Sequence, residues 1–241
     1  MSQLLEDALS RDGVAVTRAA YPEAAGASCA ACLAAGLDGL NRKLALPQTM
    51  AERMRSGVSL RHFVPVSPAA VAESATTRSE FRMQFSPCYA AALRAALAGE
   101  AGAILVAAVG RDAELRELQV IVSEPGAAAQ DVHSDSNFDI HAPRLVTVFI
   151  ALHDLLDERM GPTRFWPNTH APPWLPPTAS LAAERRPVWY ALRAGDAVLM
   201  DACTWHRGGA NTSGSRRFLL AATFVAAANG GGVPRLGDFV D

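Results

Sequence analysis

Shortages narrow the chemistry of this 241-residue chain before any motif is considered. Four cysteines, Cys29, Cys32, Cys88 and Cys203, are too few and too unevenly spaced for a disulfide framework at this length. Cys29-Ala30-Ala31-Cys32 lies in an Ala-rich stretch with no second pair to complete a zinc site, so ordinary helix packing is expected of it. Net charge is only −2 and the pI near 6.3, which removes the basic surface that nucleic acid or anionic membranes require. No apolar run reaches the roughly 18 residues of a membrane span. The longest, 101–109 and 218–228, stop well short. Met1 to Asp7 carries acids where a secretory leader has basic and apolar regions. The expectations are a reducing intracellular compartment such as the cytoplasm, and a small-molecule partner with no nucleic acid and no membrane. Oligomeric state is left open.

What is present is half hydrophobic, enough for one large core, and a single domain over 1–241 is expected. Residues 1–115 are helical and loop-rich; about 116–228 form a β core. Gly13 to Arg18 has strand character. Pro22 can open a helix over Glu23 to Leu44 that Pro47 ends. Residues 47–86 show no period. Pro87 to Val109 again has helical character despite Gly99 and Gly102. Short strands follow: 117–123 closed by Pro125-Gly126, an apolar 144–152 buried on both faces, 188–192, 195–201 and 218–225. Helices first and strands later predict a mainly β fold with flanking helices packed on a sandwich or jelly-roll.

The informative residues are His133, Ser134 and Asp135, with His206 downstream. Positions i and i+2 of an extended chain project to one side, so His133 and Asp135 can share a metal while Ser134 points away. A third ligand must then come from a neighbouring strand. This is the sequence form of a 2-His-1-carboxylate facial triad, which holds Fe(II) on one face and leaves the other positions open. Six histidines and 24 acids make chance His-x-Asp pairs common, so the flanking pattern decides. The triad sits among strands, with Gly161-Pro162-Thr163-Arg164-Phe165-Trp166-Pro167-Asn168-Thr169-His170 between its halves and Arg207-Gly208-Gly209-Ala210-Asn211, then Arg216-Arg217, after the last histidine. His62, His141, His153 and His170 are assigned ordinary hydrogen bonding.

On those residues the chain resembles the phytanoyl-CoA dioxygenase family of Fe(II)- and 2-oxoglutarate-dependent oxygenases, over roughly 115–225. The resemblance implies a double-stranded β-helix (jelly-roll, cupin-like) core. It implies His133, Asp135 and His206 as metal ligands and catalytic centre, and Arg217, eleven residues past His206, as the anchor of 2-oxoglutarate. Such an arginine can grip a carboxylate with both arms, and the apolar strand it opens cannot bury a lone charge cheaply. Gln130, Thr147 and Thr204 are further candidates for cosubstrate hydrogen bonds, and Arg216 should face away. Two positions depart from the family pattern: Gly208 stands where a serine often gives a second cosubstrate bond, and Asn168 replaces the glycine of a Pro-Gly-Ser-His turn. The implied reaction consumes dioxygen and 2-oxoglutarate, aided by ascorbate, releases succinate and carbon dioxide, and hydroxylates a small-molecule metabolite. Arg61, His62 and Arg82, in the irregular segment, are candidates for meeting the substrate. Two other readings stay open: a β-helix protein that binds metal or ligand without turnover, and a Cys203/His206 nucleophilic hydrolase, for which no orienting acid or oxyanion motif is evident.

Overall fold

The computed structural model describes residues 2–18, 60–61, 78–82, 93–226 and 234–240. A helix, α1 (Ser2–Asp12), turns at Gly13 into strand β1 (Val14–Thr17). After β2 (Leu60–Arg61) and β3 (Arg78–Arg82) comes α2 (Glu100–Val109), then β4 (Glu114–Ser123) and β5 (Leu145–Ala151). Strand β6 (Thr163–Trp166), a short α3 (Ala179–Ala183), β7 (Ala197–Asp201), β8 (Trp205–Gly208) and β9 (Arg217–Val225) follow. Seven strands form one antiparallel sheet in the order β1-β7-β5-β9-β4-β3-β2, and β6 pairs with β8 in a second. Single bridges widen the second sheet: His133 joins the free side of His206, and Val188 that of Phe165. The architecture is the mainly β jelly-roll that the sequence implied.

Alternation along the central strands divides the large sheet into two unlike faces. On the outer face Val146, Val148, Ile150, Leu220, Ala222, Phe224, Val120 and Val122 meet Leu9, Leu93, Leu97, Ile104 and Leu105 from the helices. Each large side chain buried there contributes about 1.5–3 kcal/mol. The inner face carries a smaller cluster, in which Phe149, Leu219, Val198 and Met200 pack on Phe165, Leu155 and Leu192 of the opposite side. Between the sheets, the rest of the inner face is polar.

Several expectations need correction. The segment 47–86 is not wholly irregular, because β2 and β3 extend the large sheet from it. Helix 87–109 is interrupted: Leu93–Leu97 is helical, Gly99 takes φ 100, a value side-chain-bearing residues avoid, and α2 restarts at Glu100. Val188 and Leu192 make isolated bridges to Phe165 and Leu155 and no continuous strand. Helix α1 was not anticipated from its polar, acidic sequence. The expected helix 23–44 lies outside the described residues.

Candidate metal centre

His133 and His206 meet because their backbones pair directly. His133 N–H donates to His206 O at 3.0 Å, and His206 N–H to His133 O at 2.8 Å. Such a mutual pair sets both side chains on one face of the second sheet, and the imidazole centroids lie 4.4 Å apart. The β7–β8 turn adds the third group, since the amides of Asp135 and Ser136 both donate to Ala202 O, at 2.9 and 3.0 Å. That pins the carboxylate over the two rings. His133 Nε2 is 3.9 Å and His206 Nε2 3.6 Å from Asp135 Oδ1, and all three donor atoms lie within 4.8 Å of one another. Bonds of about 2.1 Å at right angles place donors roughly 3 Å apart. The half-exposed Asp135 side chain can close the remaining gap to each histidine, roughly 0.6 to 0.9 Å, by rotation.

Backbone carbonyls fix which nitrogens face inward. His133 Nδ1 is 2.9 Å from Asp131 O, and His206 Nδ1 is 3.0 Å from Thr204 O. A carbonyl only accepts, so each Nδ1 carries the hydrogen and each Nε2 turns toward Asp135. Burial, reinforced by the neighbouring His206, lowers the pKa of His133 from its ordinary value and favours the neutral, ligating form. Phe149 and Phe165 stand 6.4 Å from the His206 ring and wall the centre from solvent on the core side.

The triad opens onto a cavity of about 350 Å³ between the sheets, at the small end of the range for small-molecule sites. Its floor is the polar part of the inner face: Glu117, Gln119, Thr147, Thr223 and Arg217. Arg217 is 1% exposed, with Nη1 donating to Gly161 O and Nε unpaired. Burial first, and the charge of Arg78 second, push its pKa down to about 9. Among the described residues it has no carboxylate partner. Its neighbour Arg216 points outward and pairs with Glu124 at 2.7 Å. Gln130 lines the cavity and accepts from Gly208 N–H at 2.7 Å, while Thr147 Oγ1 is 3.0 Å from Thr223 Oγ1.

Thr204 is placed differently from expectation. Its fully buried hydroxyl donates to Gly13 O at 3.0 Å, outside the cavity, so its part in the centre is the carbonyl that orients His206. Arg61 and Arg82 sit at register positions opposite Glu80 and Gln119, and His62 lies outside the described residues. Asn168 takes φ 61, which asparagine tolerates better than most residues and which serves the turn in place of glycine. His153 and His170 have structural tasks: the first accepts from Phe218 N–H at 2.9 Å, and the second sits 3.1 Å from Ser10 O. Thr223, Glu117 and Arg78 were not singled out from the sequence. Only Thr223 had a usable signal there, an even spacing from Arg217 along one strand.

With the geometry in place, comparison with known proteins settles the lineage. A sequence profile described as Phytanoyl-CoA dioxygenase (PhyH) matches residues 9–219. The chain belongs to this family. Among similar solved structures is the epimerase SnoN in complex with Fe3+, alpha ketoglutarate and nogalamycin RO, 20% identical, with 94% of this chain and 84% of that one covered at TM-score 0.67. The non-heme alpha ketoglutarate dependent carbocyclase SnoK from nogalamycin biosynthesis is 16% identical over 94% and 85% of the two chains, TM-score 0.66. EctD from S. alaskensis, with 2-oxoglutarate and 5-hydroxyectoine, is 15% identical over 94% and 76%, TM-score 0.66. At these identities the likeness is one of fold.

The family's cofactor and cosubstrate can be tested against the residues present. Two imidazoles and a carboxylate suit Fe(II) as a donor set, and the unpaired, buried Arg217 Nε suits an anion reaching it from the cavity. Both groups fit. The hydrolase reading does not. Burial, then Asp201, pushes the Cys203 thiol up to about 11, and His206 is turned toward Asp135. Among the described residues no helix is long and apolar enough to cross a membrane.

Proposed function

We propose that this chain is an Fe(II)- and 2-oxoglutarate-dependent oxygenase that hydroxylates a small molecule. The observation carrying the proposal is that His133, Asp135, His206 and the buried Arg217, which has no carboxylate partner among the described residues, border the same cavity. Iron and 2-oxoglutarate, when bound with dioxygen, supply the oxidising power, with succinate and carbon dioxide as co-products. The chain's own residues position and shield. Nε2 of both histidines and Oδ1 of Asp135 would hold the metal, with the cavity beside them open to small ligands. Arg217 neutralises the far carboxylate of the cosubstrate and fixes its direction along the cavity floor. Gln130 holds the Gly208 amide, and the Thr147–Thr223 pair offers hydroxyls beside them. Phe149 and Phe165 keep water from the core side of His206. Asp135 would supply a ligand carboxylate to the metal, which disfavours halogenation. Hydroxylation is the proposed outcome; the epimerase and carbocyclase of the same fold mark the alternatives that substrate placement would produce.

Arg61, His62 and Arg82 are proposed to meet the substrate. Neutral replacements of Arg61 and Arg82 should lower substrate-coupled turnover and spare uncoupled succinate release. The main test is succinate release from purified protein with Fe(II), ascorbate, 2-oxoglutarate and oxygen. Slow release that is lost without metal and lost in His206→Ala is expected. If succinate never exceeds the metal-free control in any substrate mixture, the chain is a binding protein instead.

A further inference from the structure

The connection between β5 and β6 holds Arg217 at both ends. At its far end Gly161 O accepts from Arg217 Nη1, which fixes the tip of the side chain. At its start His153 Nε2 accepts from Phe218 N–H at 2.9 Å, and that amide belongs to the peptide joining Phe218 to Arg217. Pairing between β5 and β9 stops at Ala151 and Leu219, so on this side of β9 the imidazole continues a ladder whose own strand has already left. Without the ring, the amide of Phe218, a residue only 3% exposed, would lose this acceptor. The middle of the connection is clamped as well, because the amides of Thr212 and Ser213 both donate to Arg159 O, at 2.7 and 3.0 Å. The bond to Phe218 requires an unprotonated Nε2. His153 Nδ1 lies 3.1 Å from Asp154 O, which only accepts, so the ring hydrogen sits on Nδ1 and the Nε2 lone pair faces the amide. Burial, and beyond it the charge of Arg217, lower the pKa of His153 from its ordinary value and favour this neutral state.

We propose, resting on the function proposed above, that His153 is a positioning residue for 2-oxoglutarate: by holding the Phe218 amide it sets the peptide plane from which Arg217 enters the cavity. A guanidinium fork grips a carboxylate only in a narrow range of angles, so rotation of that plane degrades the contact even though Arg217 keeps its charge. His153 stands outside the cavity lining, which leaves Arg217 as the group through which it acts.

The test is anaerobic calorimetry on the Fe(II)-loaded protein, titrated with 2-oxoglutarate and, separately, with oxalate, which chelates the metal but has no distal carboxylate. His153→Ala should weaken 2-oxoglutarate roughly fivefold to thirtyfold, as loss of one buried hydrogen-bond acceptor does, and leave oxalate unchanged. His153→Gln should regain most of that affinity, because the glutamine amide oxygen can reach the position of Nε2. In an Arg217→Ala background the same His153→Ala change should cost nothing further, since the group it positions is gone. His153→Met, which keeps the bulk without a strong acceptor, should match His153→Ala and decides the matter if His153→Ala fails to fold. Four results overturn the positioning role: equal weakening of both ligands, wild-type 2-oxoglutarate affinity in the alanine and methionine variants, a glutamine variant as weak as the methionine one, or an undiminished loss in the Arg217→Ala background. Failure of the wild-type, Fe(II)-loaded protein to bind 2-oxoglutarate at all would instead overturn the proposed function itself.

Discussion

The two faces of the large sheet are made from the same strands and do opposite work. Toward the helices, β4, β5 and β9 present Val120, Val122, Val146, Val148, Ile150, Leu220, Ala222 and Phe224, all at most 2% exposed. Toward the second sheet the same strands present Glu117, Gln119, Thr147, Thr223 and Arg217 around a cavity. Dehydrating a polar face costs free energy that the apolar face must offset. The comparison teaches that stability is concentrated on one face so that the other can line a cavity with polar groups.

Breaking this division should give effects of very different size. His206→Ala should remove succinate release below detection while the protein stays folded by circular dichroism; retained metal affinity in titration would mean the centre is elsewhere. Arg217→Ala should weaken 2-oxoglutarate by about 3–5 kcal/mol in calorimetry, as expected when one partner of a buried ionic contact is lost. On the opposite face, Ile150→Val should lower stability by about 0.5–1.5 kcal/mol in denaturant titration, with 2-oxoglutarate affinity unchanged. A change in affinity there would show that the faces are coupled. Arg216→Ala, which loses only the partly exposed pair with Glu124, should shift either quantity by less than about 1 kcal/mol. A larger loss of affinity at Arg216 than at Arg217 would exchange their assignments.

The burial of Arg78 is not legible in the sequence because it depends on three strands being adjacent. Nothing near Arg78-Ser79-Glu80 marks it as buried. β2 and β3 were equally hidden, since their local composition mixes charge, proline and aromatics, and it is pairing with β4 that makes them strands. The Thr204 hydroxyl was misplaced for a similar reason: proximity to His206 in sequence put it near the site, but the turn at Gly13 claims it. Strands β4, β5, β7 and β9 were legible because their apolar residues run long enough to require burial whatever lies beside them.

The sequence alone determined the fold class, the His133-x-Asp135 pair and its distant His206, and the contrast between Arg216 and Arg217, because period-2 patterning and ligand spacing are local properties of the chain. Tertiary structure alone decided that His133 and His206 are direct backbone partners, that carbonyls of Asp131 and Thr204 orient their rings, and that Arg78 occupies the space beside Gly208. Those facts depend on which strands lie next to which, and residues far apart in the chain acquire a shared volume only once the sheets have closed around it.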